Sequence, residues 1–195
     1  MKPVIIVCGL LGTGKTTLSK KIDGNFEDYK RFNTDDVREE LGIKSFDRKD
    51  TPMVNDCMYD QARKLLEEDK GVMFDSAYKS KIARQKIYEI AKYYNKKVLV
   101  IQCVCSDDTA KRRISERDKK DEGGLHKPTT DPNVYDEYKK IYENIELDLE
   151  KKNDFVSFVK IDTEKLEEEI LILDEDCKEY FEKILDLIKH NATTS

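Results

Sequence analysis

Val4-Ile5-Ile6-Val7-Cys8-Gly9-Leu10-Leu11-Gly12-Thr13-Gly14-Lys15-Thr16-Thr17 is the stretch that decides the fold. Its five leading apolar residues have the form of a strand buried on both faces of a parallel sheet. The glycines behind them fall at the spacing G-x-x-x-x-G-K-T, which bends the backbone so that successive N–H groups converge on one anion. Gly9, Gly12 and Gly14 permit the tight turn, Lys15 adds a mobile cation, and Thr16 offers a hydroxyl to Mg²⁺. Thr13 and Thr17 complete the loop. Helix-compatible residues run from Thr16 to Ile22 until Gly24-Asn25 stops them, so the positive end of a helix faces the same anion. Strand, loop and helix therefore come in the order that a phosphate cradle requires.

Outward from this core, apolar runs alternate with amphipathic stretches, the pattern of a parallel sheet covered by helices. Strands are expected at 4–8, 29–33, 72–75, 98–104 and 155–161, and helices at 15–23, 36–41, 52–69, 80–94, 107–117, 133–150 and 175–190. Val54, Met58, Ala62 and Leu65 recur at helical spacing, as do Tyr180, Phe181, Ile184, Leu185 and Ile188, so those faces should pack inward. The 195 residues suit one domain, 1–195, with a lid at about 113–132 whose polar, glycine-bearing part, 118–132, reads as a lid or a surface loop. The acidic stretch from Glu164 to Asp176 reads as a solvated face.

No apolar run approaches the roughly 20 residues that span a membrane, and with the first strand starting at residue 4 no signal peptide is expected. Its five cysteines lack zinc-type spacing, so a reduced, cytoplasmic protein is the expectation. The net charge of −5 is uneven: residues 79–127 carry +7 and residues 128–195 carry −10. A basic middle segment suits phosphate handling, while an acidic whole argues against wrapping long duplex.

Three further clusters carry candidate chemistry. Phe32-Asn33-Thr34-Asp35-Asp36-Val37-Arg38 follows a strand and opens a helix, at the sheet edge where open α/β folds bind ligands. A carboxylate there can take a proton from an acceptor hydroxyl, and Arg38 one turn later can hold a negative group; a plain helix cap is the structural alternative. Val72-Met73-Phe74-Asp75 is an apolar strand ending in a carboxylate able to hold Mg²⁺ directly or through water. Arg113 and Arg117 share a helix face just before the excursion, where arginines can cover transferring phosphate oxygens.

Together these residues resemble the P-loop kinase family that includes polynucleotide 5′-hydroxyl kinases, seryl-tRNA kinases and zeta-toxin-like kinases. The likeness covers roughly residues 1–150: the P-loop, Asn33, Asp35, Asp36 and Arg38 as N-x-D-D-x-R, the Arg113/Arg117 pair, and a helix bearing Tyr135, Tyr138 and Tyr142. The resemblance implies a three-layer α/β/α P-loop NTPase fold, with a five-stranded parallel sheet ordered 2-3-1-4-5 and a helical lid. It also implies ATP-dependent, Mg²⁺-dependent phosphoryl transfer to an alcohol. Asp35 would be the base and Arg38, with Asp36, would meet the acceptor; Asp36 rivals Asp35 for the base role. Gly9, Gly12, Thr13, Gly14, Lys15, Thr16 and Thr17 would hold the nucleotide, Thr16 and Asp75 the metal, and Lys15, Arg113 and Arg117 the transferred group. Phage members add a phosphatase domain with a D-x-D-G-T motif that this sequence lacks, so two-step end healing is not implied. The acceptor stays open between a polynucleotide or nucleotide 5′-hydroxyl and a sugar, nucleotide-sugar or antibiotic hydroxyl. A nucleotide-dependent switch with little turnover is the alternative of another class.

Overall fold

A computed structural model describes residues 1–43, 48–116, 130–146, 148 and 155–190. Strands β1 (Val4–Cys8), β2 (Tyr29–Asn33), β3 (Gly71–Asp75), β4 (Val98–Val104), β5 (Val156–Asp162) and β6 (Glu167–Ile172) form one sheet ordered β2-β3-β1-β4-β5-β6. The first five run parallel in the expected order. β6 is a sixth strand, antiparallel to β5. The helices are α1 (Lys15–Asp23), α2 (Thr34–Glu40), α3 (Thr51–Glu67), α4 (Lys81–Tyr93), α5 (Asp107–Ser115), α6 (Asn133–Lys140) and α7 (Glu175–His190).

The three layers follow from the two-residue period of the strands. Val4, Ile6, Val72, Phe74, Val98 and Val100 point to one face, against Val54, Met58 and Ala62 of α3 and Ile87 and Ala91 of α4. Ile5, Val7, Met73, Leu99 and Ile101 point to the other, against Leu18 and Ile22 of α1 and Phe181, Ile184 and Ile188 of α7. Each large aliphatic side chain so buried contributes about 1.5–3 kcal/mol. Because both faces are covered, the central strands are apolar throughout rather than alternating. Among the described residues, no helix is long and apolar enough to cross a membrane.

Two expectations shift. The acidic stretch contains β6, whose six residues are all exposed; Glu167, Glu168 and Glu169 charge the edge strand, as sheet edges generally require. Asp162 builds the turn into it by accepting the N–H groups of Glu164 at 2.9 Å and Lys165 at 3.0 Å. Helix α6 ends at Lys140 rather than near 150. The chain turns away there because Glu143 N–H donates to the Lys79 carbonyl (2.8 Å) and Asp148 reaches the fully buried Arg84, at 2.6 and 3.1 Å.

Candidate active site

At the carboxyl edge of the sheet, the P-loop leaves β1 and enters α1 through three glycines with positive φ. Two are dictated by space as well as by conformation. A Cβ on Gly9 (φ +137) would lie 2.3 Å from the Cys103 carbonyl oxygen, and one on Gly12 (φ +76) 2.3 Å from that of Ala110. The loop is thus pressed against β4 and α5 with no room for a side chain. Thr13 Oγ1 and Lys15 Nζ both donate to the Leu10 carbonyl, at 2.8 and 2.6 Å, which closes the loop on itself. Thr16 and Thr17 stand exposed in the first turn of α1.

Arg113 braces the loop from the side. Its Nη1 donates to Thr163 Oγ1 at 2.8 Å and to the Gly12 carbonyl at 3.5 Å, and its Nη2 donates to the Thr163 carbonyl at 3.1 Å. Thr163 Oγ1 in turn lies 3.0 Å from the Thr13 carbonyl. Arg117 and most of the expected lid lie outside the described residues.

Asp75 ends β3 with 1 % of its surface exposed. Its Oδ2 accepts from Ser19 Oγ (2.5 Å), Arg31 Nη2 (2.8 Å), Arg31 Nε (3.0 Å) and Asn33 Nδ2 (3.3 Å). Its Oδ1 is buried and has no hydrogen-bond partner among the described residues, an arrangement that costs free energy unless something fills it. A hydrated Mg²⁺ fits that requirement. Among the described residues no group of three or more His, Cys, Asp or Glu side chains could hold a metal ion, so the remaining ligands would come from water and nucleotide phosphate.

The neighbouring part of the sheet edge is built by the β2–α2 junction. Asn33 caps α2, its Oδ1 accepting Asp35 N–H at 2.8 Å, while its Nδ2 donates to the Asp75 carbonyl at 3.1 Å. This one side chain sets α2 beside the end of β3. Asp35 and Asp36 then project outward, each side chain 57 % exposed. They differ in their partners. Asp36 Oδ2 is gripped by Arg31 Nη1 at 2.6 Å, whereas Asp35 Oδ1 lies 3.3 Å from Nη1 of the buried Arg38. Arg38 Nη2 also donates to Thr51 Oγ1 at 3.2 Å, which anchors α2 to the start of α3.

Arg31 and Ser19 escape a linear reading, since their partner Asp75 is 44 and 56 residues away. The only trace in the sequence is a charged residue within the short β2. Burial works against the Arg31 charge, yet Asp75 and then Asp36 outweigh it and hold its pKa above the ordinary arginine value. Thr163 likewise gave no local signal.

Residues 4–143 match the family model described as AAA domain. The chain belongs to the AAA domain family. Solved structures agree on the fold. A candidate kinase from Chloroflexus aurantiacus has a TM-score of 0.52 at 24 % identity, over 60 % of this chain and 66 % of its own. The Pnkp1/Rnl/Hen1 complex gives 0.52 at 18 %, over 66 % of this chain and 45 % of its own. Chaetomium thermophilum Kti12 in complex with ADP-AlF3 gives 0.52 at 19 %, over 95 % and 99 %. This AAA domain chain therefore spans just under two thirds and less than half of the first two. No curated protein matches it. It has a kinase-like P-loop fold of the nucleotide-binding class.

Proposed function

We propose that this chain is an ATP-dependent kinase transferring the γ-phosphoryl group to an alcohol, with a polynucleotide or nucleotide 5′-hydroxyl as the leading acceptor. The carrying observation is the Asp35–Arg38 pair behind β2, at the same carboxyl edge of the sheet from which the P-loop leaves β1: an exposed carboxylate held at 3.3 Å by a buried guanidinium. A switch needs no such base. The acceptor oxygen would attack the γ-phosphorus, its proton would pass to Asp35, and ADP would leave. Arg38, expected from the sequence to meet an acceptor phosphate, is buried and bonded to Asp35 and Thr51, so it would orient Asp35 and would have to move to reach a phosphate. Asp36 would stay on the acceptor side as the weaker base, because Arg31 holds it at 2.6 Å whereas Arg38 stands 3.3 Å from Asp35.

On the donor side, Gly9, Gly12, Thr13, Gly14, Lys15, Thr16 and Thr17 would cradle the phosphates. When bound beside Thr16 and Asp75, Mg²⁺ would neutralise phosphate charge. Arg117, in an expected lid at about 113–132 of a single domain, would cover the transferred group. Arg113 would assist it by holding the loop.

One observation favours a small-molecule hydroxyl instead: the net charge of −5, which repels a long polyanion. Incubation with γ-labelled ATP and a 5′-hydroxyl oligonucleotide separates the readings. Label should enter the oligonucleotide, and Asp35→Asn should slow this by about 10²–10⁴-fold with nucleotide affinity kept. Label entering sugars or aminoglycosides alone would shift the acceptor to the second reading. No transfer to any acceptor, with ATP still bound, would reject the kinase.

A further inference from the structure

The guanidinium of Arg31 lies between two carboxylates from different elements. Its Nη2 and Nε point to Asp75 Oδ2 at the end of β3, and its Nη1 points to Asp36 Oδ2 on α2. Ser19 Oγ, fully buried, lies 3.1 Å from Arg31 Nε and completes the set of oxygens around it. The Arg31 side chain is 8 % exposed and Asp75 1 %, so bulk water screens this ion pair little. Two carboxylates and a hydroxyl around one positive charge are the donor set of a hard divalent cation, here filled by an arginine.

We propose that Arg31 is a positioning residue that occupies this cation seat and thereby keeps the Asp75–Asp36 pair from holding a divalent metal when no nucleotide is bound. The proposal rests on the reading that Asp75 serves the metal. Its physical logic is charge balance. With Oδ2 saturated by Arg31, Ser19 and Asn33, Asp75 keeps one buried oxygen without a partner among the described residues. The positive guanidinium repels a bare cation, whereas a metal already bound to phosphate arrives with its charge compensated. The same guanidinium holds Asp36 and leaves Asp35 to the acceptor.

The test uses the full chain, with Mn²⁺ as the probe, its free concentration followed by electron paramagnetic resonance, in the absence of acceptor. Wild type should bind Mn²⁺ weakly alone and tightly with ADP. Arg31→Gln removes the charge and leaves Asp75 and Asp36 facing each other. Mn²⁺ affinity without nucleotide should then rise on the order of ten- to a hundredfold. Adding Asp36→Asn should abolish the gain, and Arg31→Lys, which keeps a cation in the seat, should show none. A folded Arg31→Gln variant with wild-type Mn²⁺ affinity, or a gain that survives Asp36→Asn, would overturn the proposal. If Arg31→Gln is unfolded without metal, Mn²⁺ must restore its cooperative melting, and failure to do so also counts against it. Absence of label transfer by wild type would reject the kinase reading while leaving the Mn²⁺ result standing.

Discussion

Replacing Gly12 by alanine tests whether the loop is as tightly confined as its geometry says. The new Cβ would meet the Ala110 carbonyl oxygen at 2.3 Å and the Ala110 Cα and carbonyl carbon at 2.9 Å, where ordinary contact begins near 3.4 Å. The loop or α5 must move by about 1 Å, and the left-handed backbone adds about 1–2 kcal/mol of strain. Backbone N–H groups displaced by about 1 Å leave the narrow window of good hydrogen bonds. Bonds to a charged group are worth about 1.5–3 kcal/mol each, so losing two costs about 3–6 kcal/mol, or roughly 10²–10⁴ in affinity. Calorimetric titration with Mg·ATP measures this directly. Gly24→Ala is the matched control: its backbone is right-handed helical and the nearest atom is 3.5 Å away, so affinity should not change. Gly12→Ala binding within threefold of wild type would refute the reasoning.

Removing the carboxylate in Asp148→Ala leaves Arg84 charged and fully buried, which should cost about 3–5 kcal/mol in urea unfolding and lower Tm by roughly 10 °C. Glu164 is pulled from 4.5 to about 2 by hydrogen bonds from Thr109 and Ser106. Because the folded value is the lower one, its stabilisation is intact above pH 4.5 and fades as pH falls toward 2; Glu164→Gln should flatten that limb of the Tm–pH curve. Burial pushes the Cys8 thiol up to about 12 and Cys177 to about 11, and raises Cys103 as well. Alkylation at pH 8 followed by mass spectrometry should therefore spare these three in the native protein and modify all five cysteines in urea.

What was legible in the sequence is what local chemistry fixes. The P-loop glycines announce backbone conformations available to almost no other residue, and the unbroken apolar runs mark strands covered on both faces. Strand bounds at 4–8, 29–33 and 98–104 accordingly coincide with the structure. Illegible parts depend on distant partners. β6 has no buried face, so its side chains carry no periodicity, and only pairing with β5 makes it a strand. Helix α6 has helical composition past Lys140, but the ion pair between Asp148 and Arg84, 64 residues apart, overrides propensity. In the candidate site the sequence offered Asp35, Asp36, Arg38 and Asp75, each flagged by the end of an element. It was silent on Arg31, whose importance exists only once β2 and β3 lie side by side with Arg31 paired to Met73.

The hook formed by Arg113 and Thr163 bears on where this chain could be cut. The family match ends at residue 143, yet the hydroxyl that steadies the Gly12–Thr13 backbone comes from residue 163. Beyond the match also lie β5, which covers the open edge of β4, and α7, which together with α1 covers one face of the sheet. A fragment trimmed to the matched segment would expose Leu99, Ile101 and an unpaired strand edge to water, and should aggregate rather than fold. The recognisable portion and the portion that must be synthesised together are different lengths of polypeptide. The final quarter of the chain, the least informative to read, serves as a retaining wall for the loop at its beginning.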